Sequence, residues 1–112
     1  YDTKDGSCIR DFIHVSDIAE IHYKVLKKIN KLNNSKILNC GYNRGVSVLE
    51  VAKAFKNQTP KKVKILISKR RKGDLAKIIA SNRKLKKFIN WKPKFNNLNT
   101  IVKSCINWEK KR

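Results

Sequence analysis

The stretch Cys8–His22, CIRDFIHVSDIAEIH, changes its period half-way, and that change constrains the fold more than any other feature. Through Val15 it alternates. Arg10, Phe12 and His14 would share one face of an extended segment, and Ile9, Asp11, Ile13 and Val15 the other. From Ile18 the spacing becomes three and four, through Ile21, Val25, Ile29 and Leu32. That is the stripe of an amphipathic helix of about four turns, with Ser16 or Asp17 placed to cap it. A strand running straight into a helix indicates α/β architecture. It also leaves the adjacent pair Arg10–Asp11 inside an apolar run, where charges need partners.

The remainder predicts further elements in the same style. Lys36–Asn39, KILN, is a short strand candidate, and GYNRG at 41–45 is the turn after it. Ser47-Val48-Leu49-Glu50 is a capping box, so a helix starts there with Val48, Val51, Ala52 and Phe55 as its buried stripe. Val63–Ile67, VKILI, is the clearest strand by composition, and KRRKGD follows as a basic turn. Ser81 can cap a short helix burying Leu85, Phe88 and Ile89. A last helix from about Leu98 would turn Ile101, Val102, Cys105 and Trp108 inward. The order β, α, β, α, β, α, α within 112 residues reads as one α/β unit. A sheet of so few short strands is thin, and one face calls for another domain.

Composition narrows the function classes. No apolar run approaches the ~20 residues of a membrane helix. The start, YDTKDG, has no signal-peptide pattern and the chain contains no Met, so a mature piece or fragment is expected. Cys8, Cys40 and Cys105 are far apart and lack pairing or metal spacing, which predicts buried, reduced thiols in a cytoplasmic protein. His14 and His22 sit beside apolar residues without a ligand cluster, so no metal site is expected. Net charge is +20, which invites a nucleic-acid partner. However, 22 of the 28 cations are lysines spread along the whole chain, alongside 12 asparagines and many isoleucines. That bias fits an AT-rich coding sequence as well as a binding surface, and it argues against nucleic acid as the partner.

Three motifs invite chemistry. Tyr23-x-x-x-Lys27 would place a lysine beside a tyrosine on one helix face. With about one residue in five a lysine, the pattern arises readily by chance. No nucleotide loop precedes it, so it is set aside as an active site. Gly41 and Gly45 precede a capped helix but do not form G-x-G-x-x-G or a Walker loop, and a structural turn is the better reading. Arg70-Arg71-Lys72-Gly73-Asp74 carries more. Guanidinium groups bind phosphate in bidentate fashion, and a carboxylate three residues on could accept from sugar hydroxyls. With Arg10, this set would suit a nucleotide diphosphate. On composition alone a solvated basic loop fits equally well.

Together these segments resemble a known family. DGSCIRDFIHVSDIAEIH resembles the D-G-T-x-x-R-D-Y-I-H-V-x-D-L-A-x-A-H stretch of UDP-glucose 4-epimerases, members of the NAD-dependent epimerase/dehydratase (extended short-chain dehydrogenase) family. ILNCGYNRGVSVLEV resembles Y-N-L-G-x-G-x-G-x-S-V-L-E-V, KRRKGDLA resembles P-R-R-x-G-D-x-A, and NWKPKF resembles G-W-x-P-x-Y/F. The resemblance implies that residues 1–112 are a small C-terminal UDP-sugar-binding domain, few short strands packed with about four helices. The N-terminal Rossmann domain that carries NAD and the catalytic residues would be absent. It implies that Arg10 and Arg71 contact the UDP diphosphate and that Asp74 holds the uridine ribose. In the full-length enzyme NAD would take a hydride from C4 of the sugar and return it to the other face of the 4-keto intermediate. The isolated chain is expected to bind no NAD and to be inactive. A homodimer is expected only for the full-length enzyme. Related activities on the same scaffold, a UDP-glucuronate epimerase or a dTDP-glucose dehydratase, remain alternatives. The chain departs from the pattern at Asp2 (usually proline), Cys40 (leucine), Asn43 (glycine), Ile78 (often aromatic) and Phe12 (tyrosine). The last two bear on substrate preference.

Overall fold

In the computed structural model, which describes residues 1–112, the first strand is only two residues long before the chain runs on into a helix. Strand β1 is Ile9–Arg10, and helix α1, Val15–Leu26, begins five residues later. The capping residue is His14, not Ser16 or Asp17: its Nδ1 accepts from the Ser16 N–H at 3.1 Å. Asp17 is diverted to the interior. Helix α1 stops after Leu26, and a 3-10 turn at Ile29–Lys31 replaces the fourth turn expected from the spacing. Ile29 there is exposed.

Strand β2, Val46–Ser47, leads directly into α2, Val48–Gln58. The capping box forms as expected. The Ser47 hydroxyl accepts from the Glu50 N–H at 3.0 Å, and the Ser47 N–H donates to Glu50 Oε2 at 2.8 Å. Strand β3 is Lys77–Ile78, followed by α3, Arg83–Phe88, and α4, Leu98–Lys111. The sheet order is β2-β1-β3. Ile9 and Arg10 pair antiparallel with Ser47 and Val46, and parallel with Lys77 and Ile78. The sequence of element types therefore follows the expected alternation, with the thin sheet and four helices anticipated. Two of the three strands lie elsewhere, however. Neither 36–39 nor 63–67 forms a strand. β-propensity describes side chains that fit a pleated, half-buried surface, and neither segment pairs with another strand.

The core gathers Ile21, Tyr42, Leu85, Ile89 and Trp91, with Ile13, Val25, Leu38, Cys40, Phe88 and Ile101 packed around it. Tyr42 and Trp91 lie parallel, ring centroids 6.4 Å apart. Helices α2 and α4 pack against each other, and α4 contributes the fully buried Val102. Its half-buried stripe runs Leu98–Val102–Ile106 at a spacing of four. That rotation turns Cys105 and Trp108 to solvent, against expectation. Cys8 and Cys40 are half-buried and all three thiols are free. In α2, Val51, Ala52 and Phe55 are half-buried, whereas Val48 is exposed. No helix is long and apolar enough to cross a membrane.

Two glycines hold the turn between α1 and β2 against β1. A Cβ on Gly41 would stand 2.6 Å from Ala80 Cβ and 2.7 Å from an Asp11 carboxylate oxygen. A Cβ on Gly45 would overlap the side chains of Ile9 and Ile79. Only hydrogen fits at either position.

Candidate functional site

Arg10 and Asp11 are neighbours with opposite fates. The Asp11 carboxylate turns toward the Gly41–Gly45 turn, where it accepts from the N–H groups of Tyr42 (3.0 Å) and Asn43 (2.9 Å). Asn43 needs that anchor, because its φ of 58° lies in the left-handed region. Arg10, on the central strand, reaches the other way. Its Nη1 donates to its neighbour Ile9 at the carbonyl, 2.7 Å, and its Nη2 meets Asp74 Oδ1 at 2.5 Å. The parallel pairing of Arg10 with Ile78 brings the 70–74 loop alongside, since Asp74 lies only three residues before β3.

Arg10, Arg71 and Asp74, drawn from segments more than sixty residues apart, thus lie together. Asp74 is the centre. Its second oxygen accepts from the Tyr1 hydroxyl at 2.6 Å, and Arg71 Nη2 stands 3.9 Å away. Arg71 is otherwise turned to solvent, its side chain 88% exposed, whereas Arg10 and Asp74 are largely covered. The Tyr1 hydroxyl and the two guanidinium groups hold the Asp74 carboxyl below the usual carboxylate range. The hydrogen bond to Asp74 pushes the Tyr1 phenol up. Two further groups complete the cluster and were not anticipated. Arg70 Nη2 donates to the Asp74 carbonyl at 2.7 Å, and its guanidinium carbon lies 4.9 Å from the centroid of the Tyr1 ring. Arg70 is visible in the sequence as half of the Arg70–Arg71 pair. Tyr1 carries no local signal, since its role depends on a contact 73 residues away.

Chemically, the cluster is two guanidinium groups on the Asp74 carboxylate and a third on the same residue's carbonyl. It has spare N–H donors for an anion and carboxylate lone pairs for hydroxyl donors. The remaining sequence motifs have other roles. Lys27 Nζ lies 4.6 Å over the exposed Tyr23 ring, a surface cation–π contact. His14 is buried against Phe95, centroids 4.6 Å apart, and its N–H donates to the Tyr42 hydroxyl. His22 is exposed and pairs with the Ile18 carbonyl.

Comparison with known proteins meets this geometry at the same segments. Residues 3–41 match the NAD dependent epimerase/dehydratase family. The UDP-glucose 4-epimerase of Azospirillum brasilense is 39% identical over 110 residues, 98% of this chain and 32% of the relative. The UDP-Glc/GlcNAc 4-epimerase of Campylobacter jejuni superposes with a TM-score of 0.87 at 43% identity, over 100% of this chain and 34% of that one. Over nearly its whole length the chain is homologous to part of the UDP-glucose 4-epimerases. A third member, UDP-glucose 4-epimerase from Bifidobacterium longum solved with NAD+ and UDP, gives a TM-score of 0.82 at 34% identity, covering 100% of this chain and 33% of its own. The chain therefore spans about a third of the length of the family members it matches. The Gly41–Gly45 turn, which lies between a helix and a strand that leads into a capped helix, does not fit NAD. The space a Cβ would take at both glycines is filled by this chain's own side chains, leaving no cradle for a pyrophosphate.

Proposed function

We propose that residues 1–112 form the UDP-sugar-binding part of a nucleotide-sugar epimerase of the UDP-glucose 4-epimerase type. The observation that carries this reading is the meeting of Arg10, Arg71 and Asp74 at one place, in a chain whose solved relatives include a UDP complex. In this reading Arg10 and Arg71 neutralise the diphosphate through charge-assisted hydrogen bonds, and Asp74 accepts from the ribose hydroxyls. Arg10 is the fixed member, held by its strand and its own carbonyl contact. Arg71 is free to swing onto a phosphate, since one contact of 3.9 Å restrains it. Anchoring at the nucleotide end leaves the hexose free to turn, which a reaction that acts on both faces of one carbon requires.

The reacting groups and the NAD site belong to other parts of the family's proteins in this reading. Tyr23 and Lys27 cannot substitute for them, because their ring and ammonium satisfy one another on the open face of α1. The cell compartment is the cytoplasm, consistent with three free thiols.

Two measurements test the reading. Turnover of UDP-galactose by the 112-residue chain with added NAD is expected at background; activity above background would overturn the assignment of catalysis to another domain. Calorimetry with UDP-glucose and dTDP-glucose is expected to favour the uridine sugar. Preference for the dTDP sugar would move the chain to the dehydratase side of the family.

A further inference from the structure

Asp74 has two tasks in the proposed reading: it must accept from ribose hydroxyls while it stays paired with Arg10. An aspartate carboxylate offers roughly four acceptor positions, two on each oxygen. Arg10 Nη2 takes one on Oδ1, at 2.5 Å, and the Tyr1 hydroxyl takes one on Oδ2, at 2.6 Å. Arg71, at 3.9 Å, is too far to take a third. One position is thus left on each oxygen, and two neighbouring hydroxyls need just that pair. Where the free positions point depends on rotation about the Cβ–Cγ bond, which is soft in an unrestrained aspartate. A single grip by Arg10 leaves that rotation open. A second grip on the other oxygen closes it, and Tyr1 supplies it from 73 residues away.

Tyr1 reaches the same residue by a second route. The Arg70 guanidinium carbon lies 4.9 Å from the Tyr1 ring centroid, and Arg70 Nη2 donates to the Asp74 carbonyl at 2.7 Å. The ring holds the arginine, and the arginine holds the main chain of Asp74. Tyr1 belongs neither to the core cluster nor to the side chains packed around it, so its contacts serve this loop. We propose that Tyr1 is a positioning residue for nucleoside recognition: it fixes the Asp74 carboxylate so that its two free acceptor positions meet a ribose, and it leaves the phosphate grip to Arg10 and Arg71. The inference rests on the reading of Arg10, Arg71 and Asp74 as a uridine-nucleotide site. It also divides the arginine pair. Arg70 is committed to the Tyr1 ring and the Asp74 carbonyl, whereas Arg71, its side chain 88% exposed, is the one left for phosphate.

Calorimetric titration with UDP and with inorganic pyrophosphate separates the two halves of the ligand. The 112-residue protein is expected to bind UDP more tightly than pyrophosphate. Tyr1→Phe keeps the ring under Arg70 and loses the hydroxyl. In that variant UDP binding should weaken about fivefold or more, with pyrophosphate binding unchanged. Arg70→Lys keeps the charge but not the planar fork that lies on the ring and reaches the carbonyl, and should show the same selective loss. Arg71→Ala should weaken both ligands. In an Asp74→Ala background Tyr1→Phe should cost UDP no further affinity, because the acceptor it orients is gone. Thermal melts establish that each variant is folded; should Tyr1→Phe not fold, Arg70→Lys decides by the same criterion. Unchanged UDP affinity in folded Tyr1→Phe would overturn the inference. So would equal weakening of UDP and pyrophosphate, which would make Tyr1 a general support of the loop. A parent protein that binds UDP no more tightly than pyrophosphate would instead overturn the reading of the site itself. The two failures are distinct, since the first arises only in a parent that prefers UDP.

Discussion

A fully buried carboxylate holds three hydrogen bonds at a position that the sequence offers as a helix cap. Asp17 is fully buried and accepts from the Tyr42 hydroxyl at 2.5 Å and from the N–H groups of Lys94 (3.1 Å) and Phe95 (3.0 Å). It ties α1, the 41–45 turn and the approach to α4 to one point. Tyr42→Phe removes the hydroxyl donor to Asp17 and orphans the His14 N–H, and should cost about 2 kcal/mol in urea unfolding. Burial, followed by the hydrogen bond to Asp17, pushes the Tyr42 phenol up to about 12. A raised native value means that this stabilisation is complete below the unfolded phenol's value near 10 and is lost as pH rises toward 12. The alkaline loss of stability should be smaller in Tyr42→Phe. Asp74 behaves in the opposite sense. Its lowered value contributes stability above the unfolded carboxyl's value of about 4, lost as pH falls further. Asp74→Asn should therefore be less stable than the parent at pH 7, with the gap closing toward pH 3. A gap that persists undiminished at pH 3 would contradict the ion-pair account.

At the scale of elements, the helices were legible and two of the three strands were not. The capping box at Ser47 and the apolar spacing of α1, α3 and α4 are local signals, and local hydrogen bonds realise them. The Ser47 hydroxyl both accepts from Glu50 and donates to Asp5. Ser47→Ala should cost about 1 kcal/mol or somewhat more in a denaturant melt. Strands depend on a partner that the local sequence does not name. Ile9–Arg10 recruits Val46–Ser47 and Lys77–Ile78, short pieces without strong β composition, while Val63–Ile67 recruits nothing. What selects the observed pairs is close approach. Gly45 lets β2 reach Ile9, and its replacement by alanine forces a Cβ into Ile9 and Ile79. Gly45→Ala is expected to destabilise by about 1–3 kcal/mol, and to weaken the sheet that places Arg10 beside Asp74. A thermal melt unchanged from the parent would show that the turn can yield without cost.

For the molecule as a whole, the candidate site was legible because its members are chemically distinctive. Two arginines and an aspartate stand out even in a chain with 28 cations, since few of those cations are guanidinium groups and fewer sit beside apolar strands. What could not be read was the support from Tyr1, whose contacts with Asp74 and Arg70 span the chain. The exposed apolar residues Ile37, Leu66, Ile67 and Leu75 belong to the same picture, a piece about a third of the length of its relatives. The account's central claim is that the Arg10–Arg71–Asp74 cluster grips a uridine nucleotide. Calorimetric titration of the 112-residue protein with UDP tests it most directly, alongside the variants Arg10→Ala and Arg71→Ala and with inorganic phosphate as reference. The account predicts saturable UDP binding tighter than phosphate, weakened about tenfold or more by each substitution, as loss of a charge-assisted phosphate contact implies. UDP binding no tighter than phosphate, or unchanged in both folded variants, would contradict it.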